Sequence, residues 1–407
     1  MSQFAFVACQ VGAERTIFQQ LTPPHGHWKK AFSRPGFVTL KIDEENASSD
    51  SLASPDPLSP TQTPLPLSPF IRTAGWGLGH VTGNTIEELS TSVCQKIGSA
   101  NWDAIHFWHR DPTVPGWNGY EPGLSQEDET ALLAIRQAWE NQFPGASVPP
   151  TNVVARGGEK ILDIIAVEPN QWWIGYHIAQ DRPSCWPGGV LPIHRPTSMI
   201  SRAYLKMTEA IAWSKFDWQP GDHVVEIGSS PGGACQRLLE IGLHVTGIDP
   251  AEMHESVLVH PNFTHWRGKA AQLKRKLFRK FRWLTADANV AASYTLDAVE
   301  AIVTYPGVNI EGMLLTLKMS EWSQAADIAL HVARIKAWGF PMISIRQLAY
   351  NRREVCVAAW RQKLTAKQRL AKKKKFAKKQ RLKRLGPKNP NPRQPVNSPE
   401  KLPTSEN

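Results

Sequence analysis

The sequence has few cysteines and no long hydrophobic run. Its five cysteines are widely separated and never form a C-x-x-C pair, so neither a disulfide framework nor a zinc site is indicated. No stretch approaches the roughly 18 apolar residues of a membrane span, and the first residues lack the basic start of a signal peptide. These absences predict a cytoplasmic protein with reduced, mostly buried thiols, no metal site and no membrane segment.

An excess of positive charge is also missing from most of the chain, although the net charge of the 407 residues is +11. The segment from Arg361 to the end contains 16 Lys and Arg against two acids, a net +14, which leaves −3 for residues 1–360. The tail 361–407 is therefore predicted to be a disordered basic extension that binds RNA phosphates without reading sequence. A merely solubilising extension is the alternative.

Length and local composition predict several domains, because 407 residues are too many for one ordinary core. Residues 1–45 contain two apolar runs around a helix from Ala13 to Leu21, which favours a small β-α-β module. Residues 46–70 are rich in Ser and Pro and are predicted to be a flexible linker.

The next segment, residues 71–194, is predicted to be an α+β module. It contains a helix that begins at a Thr85 cap, with Glu88 completing the capping box. It closes with a hairpin of strands Ile161–Val167 and Trp172–Ile178. Of the sixteen tryptophans, the neighbours Trp172 and Trp173 alternate along that hairpin, so one is expected inside and the other facing solvent, and at most one of them could stack on a base.

Regular alternation of strand and helix begins at Arg195 and predicts a parallel sheet with crossover helices over residues 195–360. The last two strands, Ile343–Leu348 and Glu354–Ala359, are separated by a short turn and are expected to form an antiparallel edge.

A glycine turn follows the first of these strands, within Val224–Gly233. A strand, a tight turn and a helix starting near Gly233 present free backbone N–H groups to a ligand, and glycine lets the ligand approach closely. Asp249 ends the next strand, 23 residues beyond Glu226, and is placed to accept hydrogen bonds from the ribose hydroxyls of an adenosine. The pattern predicts an adenosyl cofactor, with an ordinary loop as the alternative.

The turn itself favours S-adenosylmethionine over a nicotinamide cofactor. It lacks G-x-G-x-x-G, and the Glu226 carboxylate before Gly228 suits a cationic sulfonium better than a pyrophosphate. The predicted cofactor-binding residues are Glu226, Gly228, Ser230, Pro231, Gly232, Gly233, Asp249 and Asp287.

Five segments resemble the successive motifs of the FtsJ-like RNA 2′-O-ribose methyltransferases. They are Ser201–Met207, Ser230–Gly233, Trp283–Asp287, Leu315–Lys318 and Arg346–Val355. Within that family the chain is most similar to the RlmM type, which modifies a cytidine ribose in 23S rRNA. The resemblance implies an α/β fold in which a Rossmann-like class I methyltransferase domain (195–360) follows a ferredoxin-like module (1–45) and a THUMP-like RNA-binding domain (71–194). It also implies S-adenosylmethionine as cofactor and large-subunit rRNA as substrate.

Such enzymes use a Lys-Asp-Lys-Glu tetrad, and Lys206, Asp287, Lys318 and Glu354 supply one in the right order. A ribose 2′-hydroxyl is a weak nucleophile that must be oriented and relieved of its proton. A desolvated lysine near another cation can have its pKa lowered enough to accept that proton, and this role is assigned to Lys318. Asp287, Glu354 and Lys206 are expected to position Lys318 and the hydroxyl.

Two features depart from the family pattern or allow another interpretation. No carboxylate follows the third strand, where Lys269 stands, so the contact to adenine is not identified. The basic stretch Lys274–Arg282 has the spacing of an amphipathic helix, which could be an ordinary surface helix or could hold RNA phosphates. The alternatives are a non-catalytic RNA-binding or ribosome-assembly factor with this fold, and a 2′-O-methyltransferase that acts on another RNA.

Overall fold

The computed structural model of the chain describes residues 4–23, 25–42, 64–98 and 101–361. Most of the predicted linker and the predicted basic tail beyond Arg361 lie outside these residues. The described residues form two seven-stranded sheets. No helix in the described ranges combines the length and apolar character that crossing a membrane requires.

The first sheet belongs to the N-terminal body, which comprises the described residues up to 194. Its strands are β1 (Phe4–Cys9), β2 (Trp28–Arg34), β3 (Phe37–Ile42), β4 (Ile71–Thr82), β5 (Ala104–His109), β6 (Lys160–Glu168) and β7 (Gln171–Ile178). The strand order is β2-β3-β1-β4-β7-β6-β5, and β1 pairs with both β3 and β4. The strands of the predicted modules 1–45 and 71–194 thus share one continuous sheet. The ferredoxin-like and THUMP-like identities of those modules stay predictions.

Three α-helices accompany this sheet: α1 (Glu14–Leu21), α2 (Ile86–Ile97) and α3 (Gln126–Gln142). Helix α2 begins after Thr85, whose side chain accepts a 3.2 Å hydrogen bond from the Glu88 amide. The Glu88 carboxylate accepts from the Asn84 amide at 2.7 Å instead of from Thr85. The predicted Thr85 cap is therefore present, but the second hydrogen bond of the capping box joins Glu88 to Asn84 and not to Thr85.

Both tryptophans of the β6–β7 hairpin are buried, at 3% and 8% exposure for Trp172 and Trp173. Their rings point to opposite sides of the sheet, where Trp172 lies 4.9 Å from the Phe107 ring and Trp173 lies 4.9 Å from the Phe32 ring. The expectation that one of the two faces solvent is wrong, because both faces of this sheet are covered by apolar side chains.

The last residues of the predicted linker are packed rather than flexible. Phe70 is 1% exposed, and its ring lies 5.8 Å from the ring of Trp322. The Pro69 carbonyl accepts a 2.7 Å hydrogen bond from the Gln347 amide. The linker prediction is therefore wrong at this end, since the large apolar side chain of Phe70 is buried beside Trp322.

The second sheet belongs to the C-terminal body, residues 195–361. Its strands are β8 (His223–Ile227), β9 (His244–Asp249), β10 (Phe263–Arg267), β11 (Trp283–Ala286), β12 (Gly312–Lys318), β13 (Met342–Arg346) and β14 (Glu354–Trp360). Its α-helices are α4 (Ala203–Ser214), α5 (Gly233–Glu240), α6 (Glu255–Leu258), α7 (Ala292–Val303) and α8 (Ile328–Ala337). The strand order is β10-β9-β8-β11-β12-β14-β13.

The predicted α/β architecture of the C-terminal body is confirmed. Strands β8 to β12 run parallel, and β14 pairs antiparallel with both β12 and β13, which forms the edge. The basic stretch Lys274–Arg282 differs from the amphipathic helix expected there. It contains a short 3₁₀ helix at Arg275–Lys280, and Phe278 and Phe281 are buried beside Trp266.

This topology places the carboxyl ends of β8, β9, β11 and β12 at one edge of the sheet, where ligands of open α/β folds bind. Helix α4 packs against α5 and β14 beside the same edge. The predicted cofactor turn and the predicted tetrad are thereby brought close together.

Candidate active site

The four predicted tetrad side chains form a closed ring of alternating charge. Lys206 Nζ lies 2.8 Å from Asp287 Oδ2 and 2.8 Å from Glu354 Oε1. Lys318 Nζ lies 3.1 Å from Asp287 Oδ1 and 2.7 Å from Glu354 Oε2. Every carboxylate oxygen of the ring therefore contacts one ammonium group, and each lysine bridges both acids.

Separate elements position the members of this ring. Lys318 ends β12 and Glu354 begins β14, and the antiparallel register places the two residues directly opposite each other. Asp287 follows β11, and its amide donates a 3.0 Å hydrogen bond to the Ile227 carbonyl of β8. Lys206 is the fourth residue of α4. The ring therefore forms only when the sheet and the preceding helix are both in place.

The ring is largely removed from water, with side-chain exposures of 14% for Lys206, 13% for Asp287, 21% for Lys318 and 6% for Glu354. Burial disfavours the charged form of Lys206, but Asp287 and Glu354 outweigh it and raise the pKa of the ammonium. Burial likewise opposes ionisation of Asp287, yet Lys206 and Lys318 lower the pKa of its carboxyl. Lys206 is protonated and Asp287 ionised at neutral pH.

A cleft of about 970 Å³ opens beside the ring, and both bodies line it. Val11 and Trp117 come from the N-terminal body, whereas Arg202, Arg352 and Arg353 come from the C-terminal body. Lys206, Lys318 and Glu354 lie in its wall. A cationic groove that contains a reactive cluster suits a polyanionic substrate.

The glycine turn after β8 packs closely against neighbouring parts of the protein. Gly228 has a φ of +80°, and a Cβ built on it would lie 2.6 Å from the Cα of Ala288, directly after Asp287. A Cβ on Gly233 would lie 2.2 Å from the Oγ of Ser201. Both glycines therefore allow the turn to approach the segments that carry the tetrad. This close packing is a reason for glycine at these positions, in addition to the predicted contact with a ligand.

Asp249, at the end of β9, holds the middle of the same turn. Its Oδ2 accepts a 3.2 Å hydrogen bond from the Ser230 amide, and its Oδ1 accepts a 2.8 Å hydrogen bond from the Ala251 amide. Ser230 Oγ donates to the Glu252 carbonyl at 2.7 Å. Pro231 and Gly232 complete the turn before α5. The predicted contact of Asp249 with a ribose stays a prediction.

Glu226 differs from the tetrad acids because it is buried without a counterion. Its side chain has no exposed surface, and within the described residues neither carboxylate oxygen has a hydrogen-bond partner. Burial raises the pKa of this carboxyl to about 8, so it is mostly protonated at neutral pH. Its two unused oxygens lie beside the predicted cofactor turn, and a positively charged ligand bound there, such as S-adenosylmethionine, would favour the ionised form of this carboxyl.

The residues after β10 offer no substitute for the missing adenine contact. Lys269 is exposed, and its amide donates to Gln272 Oε1 at 3.4 Å. His265 Nε2 lies 3.1 Å from the Asp249 carbonyl oxygen.

A buried ion pair behind the ring was not predicted from the sequence. Glu209 lies one turn after Lys206 in α4 and accepts hydrogen bonds from the amides of Ala349 at 3.1 Å and Tyr350 at 3.4 Å. Arg346 Nε lies 3.6 Å from Glu209 Oε1. Burial raises the pKa of Glu209 and lowers that of Arg346. The pair holds the segment that leads into Glu354.

The Arg346 guanidinium also joins the two bodies. It donates to the carbonyls of Arg72 at 3.1 Å and Gly189 at 2.8 Å, both in the N-terminal body. The motif Arg346–Val355 was recognisable in the sequence, but nothing in it indicated which distant carbonyls and which acid Arg346 would meet.

The five cysteines are all buried and unpaired, as expected for reduced thiols. Over the ranges 4–23, 25–42, 64–98 and 101–361, no group of His, Cys, Asp and Glu side chains is arranged to hold a metal ion.

Comparison with known proteins gives one family match and several curated relatives. The family model of the FtsJ-like methyltransferases matches residues 199–333, which include Lys206, Asp287, Lys318 and the glycine turn. The Ribosomal RNA large subunit methyltransferase M of Laribacter hongkongensis is 27% identical over 193 residues, 45% of this chain and 54% of that protein. The protein of the same name from Saccharophagus degradans is 30% identical over 172 residues, 40% of this chain and 48% of that protein.

The chain thus spans about half the length of the curated relatives that it matches. Among solved structures, TrmN from Thermus thermophilus covers 88% of this chain and 99% of its own, with 12% identity and a TM-score of 0.30. A TM-score this low supports no conclusion. Residues 199–333 are thus similar to the FtsJ-like methyltransferases, and they lie on the α/β sheet that carries the ring and the glycine turn.

Proposed function

We propose that the protein transfers a methyl group from S-adenosylmethionine to the 2′-hydroxyl of a ribose in large-subunit rRNA, with a cytidine of 23S rRNA as the target. The observation that carries this proposal is the closed ring of Lys206, Asp287, Lys318 and Glu354 at the edge of the sheet beside the glycine turn. The family match and the names of the curated relatives support the same reaction and substrate.

In this proposal Lys318 Nζ accepts the proton of the attacking hydroxyl. A ribose hydroxyl must be aligned with the methyl group and must lose its proton as the new bond forms. For this step Lys318 would first release its own proton to the solvent in the cleft, and Lys206 would keep a positive charge between the two carboxylates. Asp287 and Glu354 hold both lysines in place by charged hydrogen bonds.

The cofactor would lie at the carboxyl ends of β8 and β9. Glu226 and the turn residues Gly228, Ser230, Pro231, Gly232 and Gly233 would hold it, with Asp249 at the ribose and Asp287 toward the methyl group. When bound, it supplies an electrophilic methyl group on a sulfonium.

The RNA would lie in the cleft between the two bodies. Arg352 and Arg353 are exposed there beside Lys318, in position to neutralise phosphates. The basic tail 361–407 is proposed to add affinity by contacting further phosphates without reading sequence. Such a substrate implies a cytoplasmic location.

A methylation assay tests this proposal. The protein is incubated with tritiated S-adenosylmethionine and with protein-free large-subunit rRNA from cells that lack it. We expect label in this RNA and none in the same RNA from cells that contain the protein, where the site is already methylated. Equal absence of label from both RNAs would contradict the proposal.

The exposed Lys269, in place of an acid, favours one other candidate, a non-catalytic RNA-binding factor that retains the fold. Calorimetry distinguishes the two. We expect saturable binding of S-adenosylmethionine, whereas no binding heat together with tight RNA binding would favour the scaffold.

A further inference from the structure

Trp117 stands apart from the other tryptophans of the chain. It is 59% exposed, whereas the other fifteen, all within the described ranges, are buried or half-buried. Within those ranges its ring makes no ring–ring or cation–π contact, and its indole Nε1 donates no hydrogen bond. Exposure of so large an aromatic surface is costly, and such side chains are typical of binding sites.

The loop that carries Trp117 is tightly folded. The Trp117 amide donates to the Val114 carbonyl at 3.2 Å, and its carbonyl accepts from the Tyr120 amide at 2.9 Å. The Gly116 amide donates to the Tyr120 carbonyl at 2.6 Å. This loop presents the indole from a defined backbone, which lowers the entropic cost of binding through it.

Two arginines of the C-terminal body anchor this loop beside the tetrad. Arg352 Nε donates a 2.8 Å hydrogen bond to the Pro115 carbonyl. The Arg202 guanidinium forms a salt bridge with Glu121, just after the loop, and donates to the Tyr350 carbonyl. Arg202 and Arg352 lie in the segments that carry Lys206 and Glu354, so the position of Trp117 is fixed relative to the ring.

Trp117 and Lys318 line the same cleft of about 970 Å³. That volume is at the upper end of the range for small-molecule pockets, roughly 300 to 1,000 Å³, and has room for more than one nucleotide. An aromatic face among cationic side chains is the combination that binds single-stranded nucleic acid, where bases stack and phosphates pair with charges.

We propose that Trp117 stacks on a base of the substrate RNA, either that of the reacting nucleotide or that of its neighbour, and so holds the ribose at Lys318. This inference rests on the proposed function. RNA is favoured over a protein partner because the indole shares its cleft with the proposed proton acceptor and with the exposed Arg352 and Arg353.

Kinetics of two Trp117 variants test the proposal on an unmodified large-subunit rRNA transcript. We expect Trp117→Ala to raise KM for RNA about 5- to 100-fold, the range for loss of one stacked base, with a much smaller change in kcat. Trp117→Phe keeps a stacking face and should recover most of the loss. The control Leu133→Ala removes a side chain that is 68% exposed in α3, outside the cleft, and should leave KM unchanged.

A substrate with an abasic nucleotide then identifies the stacked base. Once the methylated position is mapped, an RNA that lacks either that base or its neighbour is tested with the wild-type protein. We expect one of these changes to raise KM about as much as Trp117→Ala does with the intact RNA. Combining the Trp117→Ala variant with the abasic RNA should raise KM little more than either change alone. Full additivity at both positions, or a Trp117→Ala protein with wild-type KM, would overturn the inference.

Failure of the inference is distinguishable from failure of the proposed function. If the wild-type protein methylates the transcript and Trp117→Ala is unaffected, only the stacking inference fails. If the wild-type protein labels no RNA, the proposed function fails, and fluorescence anisotropy with a 12-nucleotide RNA still tests stacking. In that measurement equal affinities of the wild-type, Ala and Phe proteins would contradict it. Unchanged melting temperature and cofactor binding of the variants exclude misfolding.

Discussion

The two clusters that flank the segment Arg346–Glu354 differ in what surrounds them. In the tetrad, each charge contacts two opposite charges, and Lys206, Lys318 and Glu354 lie in the wall of an open cleft. In the pair of Glu209 and Arg346, one acid meets one base inside the protein, and backbone groups supply the other contacts. Glu209 is fully buried, whereas Lys318 keeps 21% of its side chain exposed.

This difference separates a cluster that can exchange protons from one that holds the fold. A proton acceptor needs access to its substrate and a neighbour that stabilises the charge change; under the proposed mechanism the cleft gives Lys318 the first, and its contacts with Asp287 and Glu354 give it the second. A buried pair with fixed partners stabilises only one arrangement, and it is strongly destabilising when one partner is lost. We therefore expect substitutions in the ring to act on catalysis and substitutions in the pair to act on stability.

The largest effect is expected at Lys318. Lys318→Ala should lower kcat for methyl transfer by about 10²- to 10⁴-fold, the range for loss of a general base, while changing the dissociation constant of S-adenosylmethionine little. Lys318→Arg keeps the charge but cannot accept a proton at neutral pH, so it should be impaired to a similar degree. Methylation rates and calorimetry provide the two readouts.

The matched control is Lys336→Ala, which removes an exposed lysine of α8 outside the cleft and should leave kcat unchanged. Full activity of Lys318→Arg would show that Lys318 acts through its charge and not as the proton acceptor.

The next largest effect is expected at Arg346, on stability. Arg346→Met leaves Glu209 buried without a counterion and frees two backbone carbonyls, so it should cost about 3 to 5 kcal/mol of unfolding free energy. Denaturant unfolding followed by circular dichroism measures it. The double variant Glu209→Gln with Arg346→Met should recover part of the loss. If the unfolding free energy of the single variant Arg346→Met lies within about 1 kcal/mol of the wild-type value, the pair does not hold the fold.

We expect the unpaired carboxyl of Glu226 to make the free energy of unfolding depend on pH. Its pKa is about 8 in the folded protein and about 4.3 in the unfolded chain, so the unfolded state loses its proton first and stability falls as pH rises between these values. The free energy of unfolding falls by about 1.36 kcal/mol per pH unit up to the folded-state pKa of about 8 and changes little above it. Between pH 6 and pH 9 the loss therefore amounts to about 2 to 3 kcal/mol.

Glu226→Gln keeps the shape of the side chain without the titration. The difference in unfolding free energy between this variant and wild type should therefore grow in favour of the variant from pH 6 to pH 9. A difference that stays constant over this range would show that Glu226 is not protonated in the folded protein at pH 6.

The smallest effect is expected at the exposed charge cluster of Arg334 with Asp297 and Glu300. Water screens these charges, so Arg334→Ala should change the unfolding free energy by no more than about 1 kcal/mol. Thermal unfolding at low and high salt measures it. A loss as large as that of Arg346→Met would mean that exposure does not distinguish the clusters.

The sequence predicted the C-terminal body well because local signals and topology agree there. Apolar strands such as His223–Ile227 alternate with helices at regular spacing, and this pattern is compatible with few arrangements. Lys318 and Glu354 were identified from the resemblance to the family motifs, whereas the pairing of their strands β12 and β14 was not predicted. The closed ring they form with Lys206 and Asp287 depends on side-chain geometry that no spacing specifies.

The N-terminal body was predicted less well because its organisation depends on long-range pairing. Strand β2 carries charged and half-buried residues without clear alternation and was missed. The pairing of β1 with β4 crosses the predicted linker, so the single sheet was not foreseen. Trp117 was not singled out either, since exposure of one tryptophan among sixteen follows from tertiary packing alone.

The most direct test of the central claim is the identity of the atom that receives the methyl group. Labelled large-subunit rRNA is digested to nucleosides, which are separated and compared with 2′-O-methyl and base-methyl standards. The account predicts label in one 2′-O-methylnucleoside, cytidine under the full proposal, with the wild-type protein and almost none with Lys318→Ala. Label in a base-methylated nucleoside, or equal labelling by both proteins, would contradict it.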